Sequence, residues 1–418
     1  PGTTTSCRAA GTRHHVISPH ATGRKAVRDM KVLFASLGNY GHVFPLVPLA
    51  QAAHAAGHEV WFATSEQFHP TLDKARLRPV SSGLTVPEAF IEATGGQAFL
   101  EANGGAAQAS DIPPEVLAAL AVKAFGSVLP RSVFADLTPV LDSVRPDLVV
   151  YESFNPGAAF AAAAAGVPAV CHAIGRVSPN PPIAQELFAT ANDLGVADKI
   201  GRGPTLGNPY IEICPPAVQN QEFLTSGVQL IPQRPTSFSD PGELPAGVTQ
   251  GQGPLVYLSF GTVVTSAQLL RTAIDGLLPL DVRVLVATSA LVDPAALGEL
   301  PDRVVALPWV PQPEALRHAT AIVHHGGHGT TLASLAAGLP QLILPRESDG
   351  FGNAPAVRAT GAGRLLLGED VTAEAVEAEM RILLTDGAYR EAARRVAQEI
   401  EALPGPADTV ARFPEFAG

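Results

Sequence analysis

The sequence predicts an α/β protein of two doubly wound halves, each a parallel sheet covered by helices on both faces, with a cleft between them. Three observations carry that prediction. Apolar runs of strand length alternate with segments of helical period in two stretches, one from Met30 to about residue 230 and one from Pro254 onward. Strands apolar on both faces belong to parallel sheets buried under helices. Between the stretches, Ile231 to Gly253 carries Pro232, Pro235, Pro241, Pro245, Gly242, Gly247, Gly251 and Gly253, which reads as a linker. Each stretch also places a Gly-bearing loop directly after a strand, where open parallel sheets take their ligands.

Residues 1–29 are rich in Thr, Arg, His and Gly and read as a disordered tail, with Met30 starting the ordered chain. The first half, 30–230, opens with the strand Lys31 to Ala35 and the loop Leu37 to His42. A helix is expected from Phe44 to Ala56, with Pro45 in its first turn and Gly57 after it. His58 to Ala63 is the next strand, with Trp61 in the core. Then follow the helix Ser132 to Ser143, the strand Asp147 to Tyr151, the helix Pro156 to Ala165 and the strand Val167 to His172. Residues 81–130 and 174–230 break the rhythm and read as irregular walls of a binding cleft.

After the 231–253 linker the second half, 254–388, restarts the pattern. Pro254 to Phe260 is a strand, Gly261-Thr262 a loop, and Ala267 to Leu277 a helix. Strands are expected at Val282 to Ala287, Val304 to Ala306, Ala321 to His324 and Gln341 to Leu344. Helices are expected from Thr331 to Ala337 and near Phe351, and closing helices at 372–384 and 388–402. The last segment, 389–418, is expected to return toward the first half.

The 418 residues suit two domains of ordinary size, each with its own core. Net charge is −11 with no basic cluster, which argues against nucleic acid as a partner. The three cysteines, Cys7, Cys171 and Cys214, are too scattered for a disulfide framework or a zinc site and fit a reducing cytoplasm. The longest apolar stretch, about Ala158 to Ala173, is broken by Gly166 and Pro168, so no membrane partner is expected. Oligomeric state is left open, a homodimer included.

Chemistry concentrates at His324-His325-Gly326-Gly327-His328-Gly329-Thr330-Thr331. A strand, a Gly-rich loop and a helix N-terminus in that order can hold a diphosphate. Glycines let the backbone approach, free N–H groups face the anion, and a histidine adds a donor. Ser259-Phe260-Gly261-Thr262 repeats the device at the start of the second half. Trp309, before Val310-Pro311-Gln312, offers a flat indole to a pyrimidine base; a core tryptophan is the plainer reading. His42, ending the first Gly loop, is placed to act as a base or merely to bond a backbone carbonyl.

Together, the two halves, the Gly41-His42 loop, Trp309-Val310-Pro311-Gln312 and His324-His325-Gly326-Gly327 resemble the GT-B glycosyltransferases, over about residues 30–405. The resemblance is strongest to the family 1 enzymes by which actinobacteria decorate antibiotics and other natural products with sugars. It implies two Rossmann-like domains facing across a cleft and inverting, metal-independent transfer from a nucleoside-diphosphate sugar, TDP- or UDP-linked, to an acceptor hydroxyl. The sugar nucleotide is then a co-substrate and no cofactor is needed.

The resemblance also assigns roles. His42 is the base. Glu152 stands where the family often has Asp, as the acid that orients it, one methylene longer. His325 bonds the diphosphate, with the backbone at Gly327, Gly329 and Thr330 completing the cradle and Gly261 and Thr262 nearby. Trp309, Val310 and Gln312 take the base, and Asp349 takes a sugar hydroxyl. His324 is expected to pack, and His328 stands where relatives carry another residue. Gly350 replaces a Gln that many relatives have after the Asp, a missing contact that suits a deoxysugar. No Asp-x-Asp pair is present as a metal clamp. Phe90, Phe99, Phe125, Ile183 and Phe188 in the irregular stretches suit a small apolar aglycone. A nucleotide-sugar epimerase and a non-catalytic sugar-nucleotide-binding helper subunit share the cradle and stay open as alternatives.

Overall fold

Two all-parallel sheets form the protein in the computed structural model, which describes residues 29–95, 114–178, 181–262, 265–346 and 348–417, together with Gly2. The first contains β1 (Lys31–Ala35), β2 (Glu59–Thr64), β3 (Arg78–Ser81), β4 (Leu148–Glu152), β5 (Ala169–His172), β6 (Tyr210–Glu212) and β7 (Leu230–Pro232). The second contains β8 (Leu255–Ser259), β9 (Arg283–Ala287), β10 (Val304–Leu307), β11 (Ala321–His324), β12 (Gln341–Ile343) and β13 (Gly363–Leu365). Strand order is β3-β2-β1-β4-β5-β6-β7 and β10-β9-β8-β11-β12-β13. In both sheets the order reverses beside the first strand, between β1 and β4 and between β8 and β11. The loops leaving those pairs diverge to opposite faces and leave a crevice at the strand ends.

Burial explains why these runs are strands. Val32, Leu33, Phe34 and Ala35 are fully buried, as are Val149 and Val150 beside them. Each large side chain so buried contributes roughly 1.5–3 kcal/mol. Trp61 departs from the expected core position: it is half-buried, with the Arg78 guanidinium 5.4 Å above its ring.

Several boundaries differ from the sequence expectation. The first helix runs Tyr40–Ala55 rather than from Phe44, because the Asn39 side chain caps it by accepting from the Gly41 N–H at 3.1 Å. His42 therefore sits in the first helical turn instead of ending a loop, and Pro45 lies in the helix interior. Likewise the helix expected from Thr331 spans His328–Ala336, with Gly327 at its N-cap. The stretch 81–130 is largely helical where described, with Val86–Ala93, Pro114–Lys123 and a π-turn at Ala124–Val128. That turn leads into the helix Leu129–Val144, which buries Leu129, Val133, Leu137 and Leu141 and packs against Pro156–Ala165. By length and composition the continuous helix Glu115–Val144 could cross a membrane; here one stripe of it is buried in the core of the first half. The stretch 174–230 supplies the helix Ala184–Asp193 and the strand β6. β7 takes in Ile231 and Pro232, which the sequence placed in the linker, and Ile231 pairs with Ile211. The expected tail and Phe99 fall, for residues 3–28 and 96–113, outside the described residues.

The C-terminal segment returns to the first sheet. After the helix Gly387–Glu401, the Pro404 carbonyl accepts from the Arg234 N–H at 2.7 Å. The short helix Pro406–Val410 packs on Tyr40–Ala55, and the fully buried Phe413 lies 6.5 Å from Phe34 and 6.2 Å from His58 by ring centroid. Phe413→Ala should cost about 3–5 kcal/mol, the usual range for a large aromatic cut out of a core. A lower urea midpoint checks this, and an unchanged one would show the return segment to be dispensable.

Candidate active site

The strand ends at the two switch points carry the site. Glu152 closes β4 and is fully buried. Its Oε1 accepts from the Leu37 N–H at 3.3 Å and stands 3.0 Å from His42 Nδ1; its Oε2 accepts from the Phe154 N–H at 2.5 Å. Leu37 belongs to the loop after β1 and Phe154 to the loop after β4, so one carboxylate ties both loops of the switch point together. With Nδ1–H donating to Glu152, the basic lone pair of His42 lies on Nε2. That atom makes no hydrogen bond among the described residues, and the side chain keeps 15% exposure. Burial alone would lower the His42 pKa; the Glu152 charge and hydrogen bond, helped by Asp349, outweigh it and hold the pKa above 6.5.

On the apolar side of His42 the Phe154 ring meets it edge-on at 5.7 Å. Phe125 stands 6.3 Å from Phe154, and Phe90 6.2 Å from Phe125. Phe90 and Phe125 thus join a row of rings that ends at His42. Phe188 does not join it, since the Arg202 guanidinium covers its ring at 4.4 Å. Ile183 sits half-buried at the start of the helix Ala184–Asp193. Phe154, absent from the sequence reading, is betrayed only by standing two residues after Glu152.

Across the cleft, His325 follows β11 and its ring lies in a slot between two glycines. A Cβ on Gly261 would come within 2.7 Å of Cε1, and one on Gly327 within 2.4 Å of Nε2. Gly261 also has φ +74°, a conformation glycine adopts without strain. Burial pushes the His325 pKa down to about 4, although Asp349 and the Ser259 backbone pull upward. The imidazole is therefore neutral at neutral pH, and its Nδ1 is buried without a partner among the described residues. The N–H groups of His328, Gly329 and Thr330 precede the first bond of their helix, Thr331 N–H to the Gly327 carbonyl, and make no hydrogen bond among the described residues. Nothing described lies within 4 Å of a Cβ built on Gly329, so the surface is open at that residue. Thr262, half-buried, is the last described residue of the neighbouring loop.

Trp309 is 38% exposed, not a core residue, and leans on Tyr40 of the other lobe at 5.6 Å and 43°. The Val310 side chain is buried, while its main-chain N–H and carbonyl have no hydrogen bond among the described residues. Gln312 accepts from the Thr330 hydroxyl at 3.2 Å, linking the Trp309 segment to the Gly-rich helix. Tyr40 escaped the sequence reading because it looked like a loop residue. Its place in the first helical turn, two before His42, puts it over the indole.

Asp349 lies in the first turn of the helix Ser348–Thr360 rather than capping it, with 42% of its side chain exposed. Gly350 has no room for a side chain: its Cβ would sit 2.4 Å from the His325 carbonyl oxygen and 3.2 Å from Pro345 Cα. The helix start rests directly on the His325–Gly326 backbone. His324 is structural, with Nε2 2.8 Å from Gln341 Oε1 and Nδ1 accepting from the Gly326 N–H at 3.1 Å. Among the described residues no group of three or more His, Cys, Asp or Glu is placed to hold a metal.

His325→Ala should weaken nucleoside-diphosphate binding and slow any transfer by on the order of 100-fold. Gly327→Ala should mimic it by expelling the ring from its slot. Calorimetric titration of TDP and UDP checks both, and unchanged affinity would detach the slot from anion binding.

Comparison with known proteins identifies the family and the fold. Residues 51–194 match the N-terminal domain and residues 271–416 the C-terminal domain of the erythromycin biosynthesis protein CIII-like family. The L-demethylnoviosyl transferase of Streptomyces niveus is 32% identical over 90% of this chain and 96% of its own. The elloramycin glycosyltransferase ElmGT of Streptomyces olivaceus is 32% identical over 92% of this chain and 97% of its own. Among solved structures, the Streptomyces sp. SF2575 glycosyltransferase SsfS6 complexed with thymidine diphosphate superposes with a TM-score of 0.73 at 27% identity, covering 92% of this chain and 99% of that one. The paired parallel sheets are those of the GT-B architecture, and the chain belongs to the erythromycin biosynthesis protein CIII-like glycosyltransferases.

Proposed function

We propose that the protein transfers a deoxysugar from a thymidine-diphosphate donor to a hydroxyl of an apolar natural-product aglycone, inverting the anomeric carbon without a metal. The observation that carries this reading is the His42–Glu152 pair: a 3.0 Å contact, a carboxylate pinned by two backbone N–H groups, and an Nε2 that makes no hydrogen bond among the described residues. The first lobe takes the acceptor along Phe90, Phe125 and Phe154. The second takes the nucleotide at Trp309, Val310 and Gln312 and the diphosphate at His325, Gly327, Gly329 and Thr330, beside Gly261 and Thr262. Thymidine diphosphate bound by the similar SsfS6 supports the choice of nucleotide, and the side-chain-free Gly350 suits a sugar with fewer hydroxyls.

His42 Nε2 removes the acceptor proton as the acceptor oxygen bonds the anomeric carbon. The bond to the diphosphate breaks on the opposite face, and its electron pair stays on the phosphate oxygen. Developing charge there meets the neutral imidazole of His325 and the free N–H groups of the helix start, donors already aimed at it. Those donors take the role a cation would otherwise fill.

The test is TDP release from TDP-deoxysugars and fully hydroxylated sugar nucleotides, with and without aromatic and macrolide aglycones. Acceptor-dependent release, preference for the deoxysugar, inverted configuration by NMR and indifference to EDTA are expected; loss of activity on chelation would refute the metal-free reading. His42→Ala should cut turnover by about 100-fold or more and spare nucleotide binding. The base must be neutral, so kcat/KM should fall on the acid side with an apparent pKa above 6.5. Glu152→Gln removes the larger upward influence and leaves burial opposed by Asp349 alone, so that limb should move to lower pH while kcat drops. A limb that does not move would remove Glu152 from control of the base.

A further inference from the structure

His328 is explained neither by the cradle nor by the base. It opens the helix His328–Ala336, and only 9% of its side chain is exposed. Two donors converge on its Nδ1. One is the Arg176 N–H at 3.3 Å, from the loop after β5 in the other lobe; the second is Asn353 Nδ2 at 3.0 Å. The same Nδ2 donates to the Gly326 carbonyl at 2.7 Å, which identifies it as the amide nitrogen and so makes His328 Nδ1 the acceptor. The ring proton must then lie on Nε2. Nε2 stands 3.5 Å from Asp349 Oδ1, a gap that a small side-chain rotation closes to a hydrogen bond. Burial holds the imidazole neutral against the pull of Asp349.

Two further facts give this contact a use. Asp349 makes no other hydrogen bond or ion pair among the described residues, so His328 is the side chain that restrains an otherwise open carboxylate. The ring also reaches its place only because residue 175 is glycine: a Cβ there would lie 2.1 Å from His328 Nδ1. The first lobe is shaped to admit a side chain of the second, and the backbone of Arg176 then bonds it. Arg176 is itself held, its Nε donating to the Val218 carbonyl at 3.0 Å, and the next N–H, that of Val177, bonds Gln219 Oε1 at 2.9 Å.

We propose that His328 is a positioning residue for the donor sugar: its Nε2–H fixes the Asp349 carboxylate to receive a sugar hydroxyl, while its Nδ1 ties that orientation to the loop after β5 across the cleft. This rests on Asp349 being the sugar ligand. An unrestrained carboxylate must be immobilised when the sugar binds, a cost equivalent to about three- to tenfold in affinity. The grip on the sugar thereby depends on the acceptor lobe being closed against the donor lobe, whereas the grip on the diphosphate does not.

The experiment compares wild type, His328→Ala, His328→Gln, Asp349→Ala and the double variant His328→Ala/Asp349→Ala. The readouts are KM for a TDP-sugar that the enzyme turns over, kcat, and calorimetric Kd for TDP alone. His328→Ala should raise KM for the TDP-sugar about three- to tenfold and leave Kd for TDP within about twofold. His328→Gln, which keeps a donor near the Nε2 position, should recover most of the loss, and His328→Ala should add nothing once Asp349 is gone. Equal weakening of TDP and TDP-sugar, or additive effects in the double variant, would overturn the proposal and leave the ring as interdomain packing. Failure of the underlying reading shows separately, as an Asp349→Ala protein that binds TDP-sugar like wild type.

Discussion

A parallel sheet whose strand order reverses cannot cover its own switch point, and that gap governs the molecule. Loops leaving β1 and β4 diverge to opposite faces, as do those leaving β8 and β11. The exposed strand ends would leave backbone groups unpaired unless side chains filled the gap. In the first sheet Glu152 fills it, accepting from Leu37 and Phe154 while holding His42. In the second, the His325 ring fills it between Gly261 and Gly327. The same residues that close the gap in each sheet line the cleft proposed to take substrate.

Glutamate at residue 152 makes sense in these terms. The extra methylene relative to aspartate carries the carboxylate far enough beyond β4 to reach the amides of both neighbouring loops and the imidazole at once. Three accepted bonds hold the fully buried carboxylate in one place. The loops therefore fix a carboxyl group in position behind His42.

Strands were the most legible part of the sequence, because a parallel sheet buried on both faces leaves unbroken apolar runs such as Val32 to Ala35. Helix starts were less legible. Asn39 and Gly327 begin helices at points where glycine and histidine suggested loops, and Pro45 looked like a first-turn residue although it lies deeper. β6 and β7 were missed because three-residue strands beside prolines carry too little pattern to stand out from loops. Of the site, the residues at strand ends could be named from their place in a motif, whereas Tyr40, Phe154 and Arg176 owe their positions to contacts between segments distant in sequence. No local pattern records that the Arg176 backbone meets His328, 152 residues away.

Histidines in the cleft show how one residue type is divided among tasks. His42 has a buried carboxylate bonded to it, which holds its pKa above 6.5, so it readily accepts a proton. His325 is buried without such a partner and is pushed down to about 4, so it stays a neutral donor. His328 is buried against two donors on one nitrogen and is lowered as well. Asp349 influences all three without being bonded closely to any, which makes it the shared charge of the cleft. A carboxylate so placed on the second lobe raises the pKa of His42 on the first. The two lobes are thus linked at the cleft by electrostatics as well as by shape.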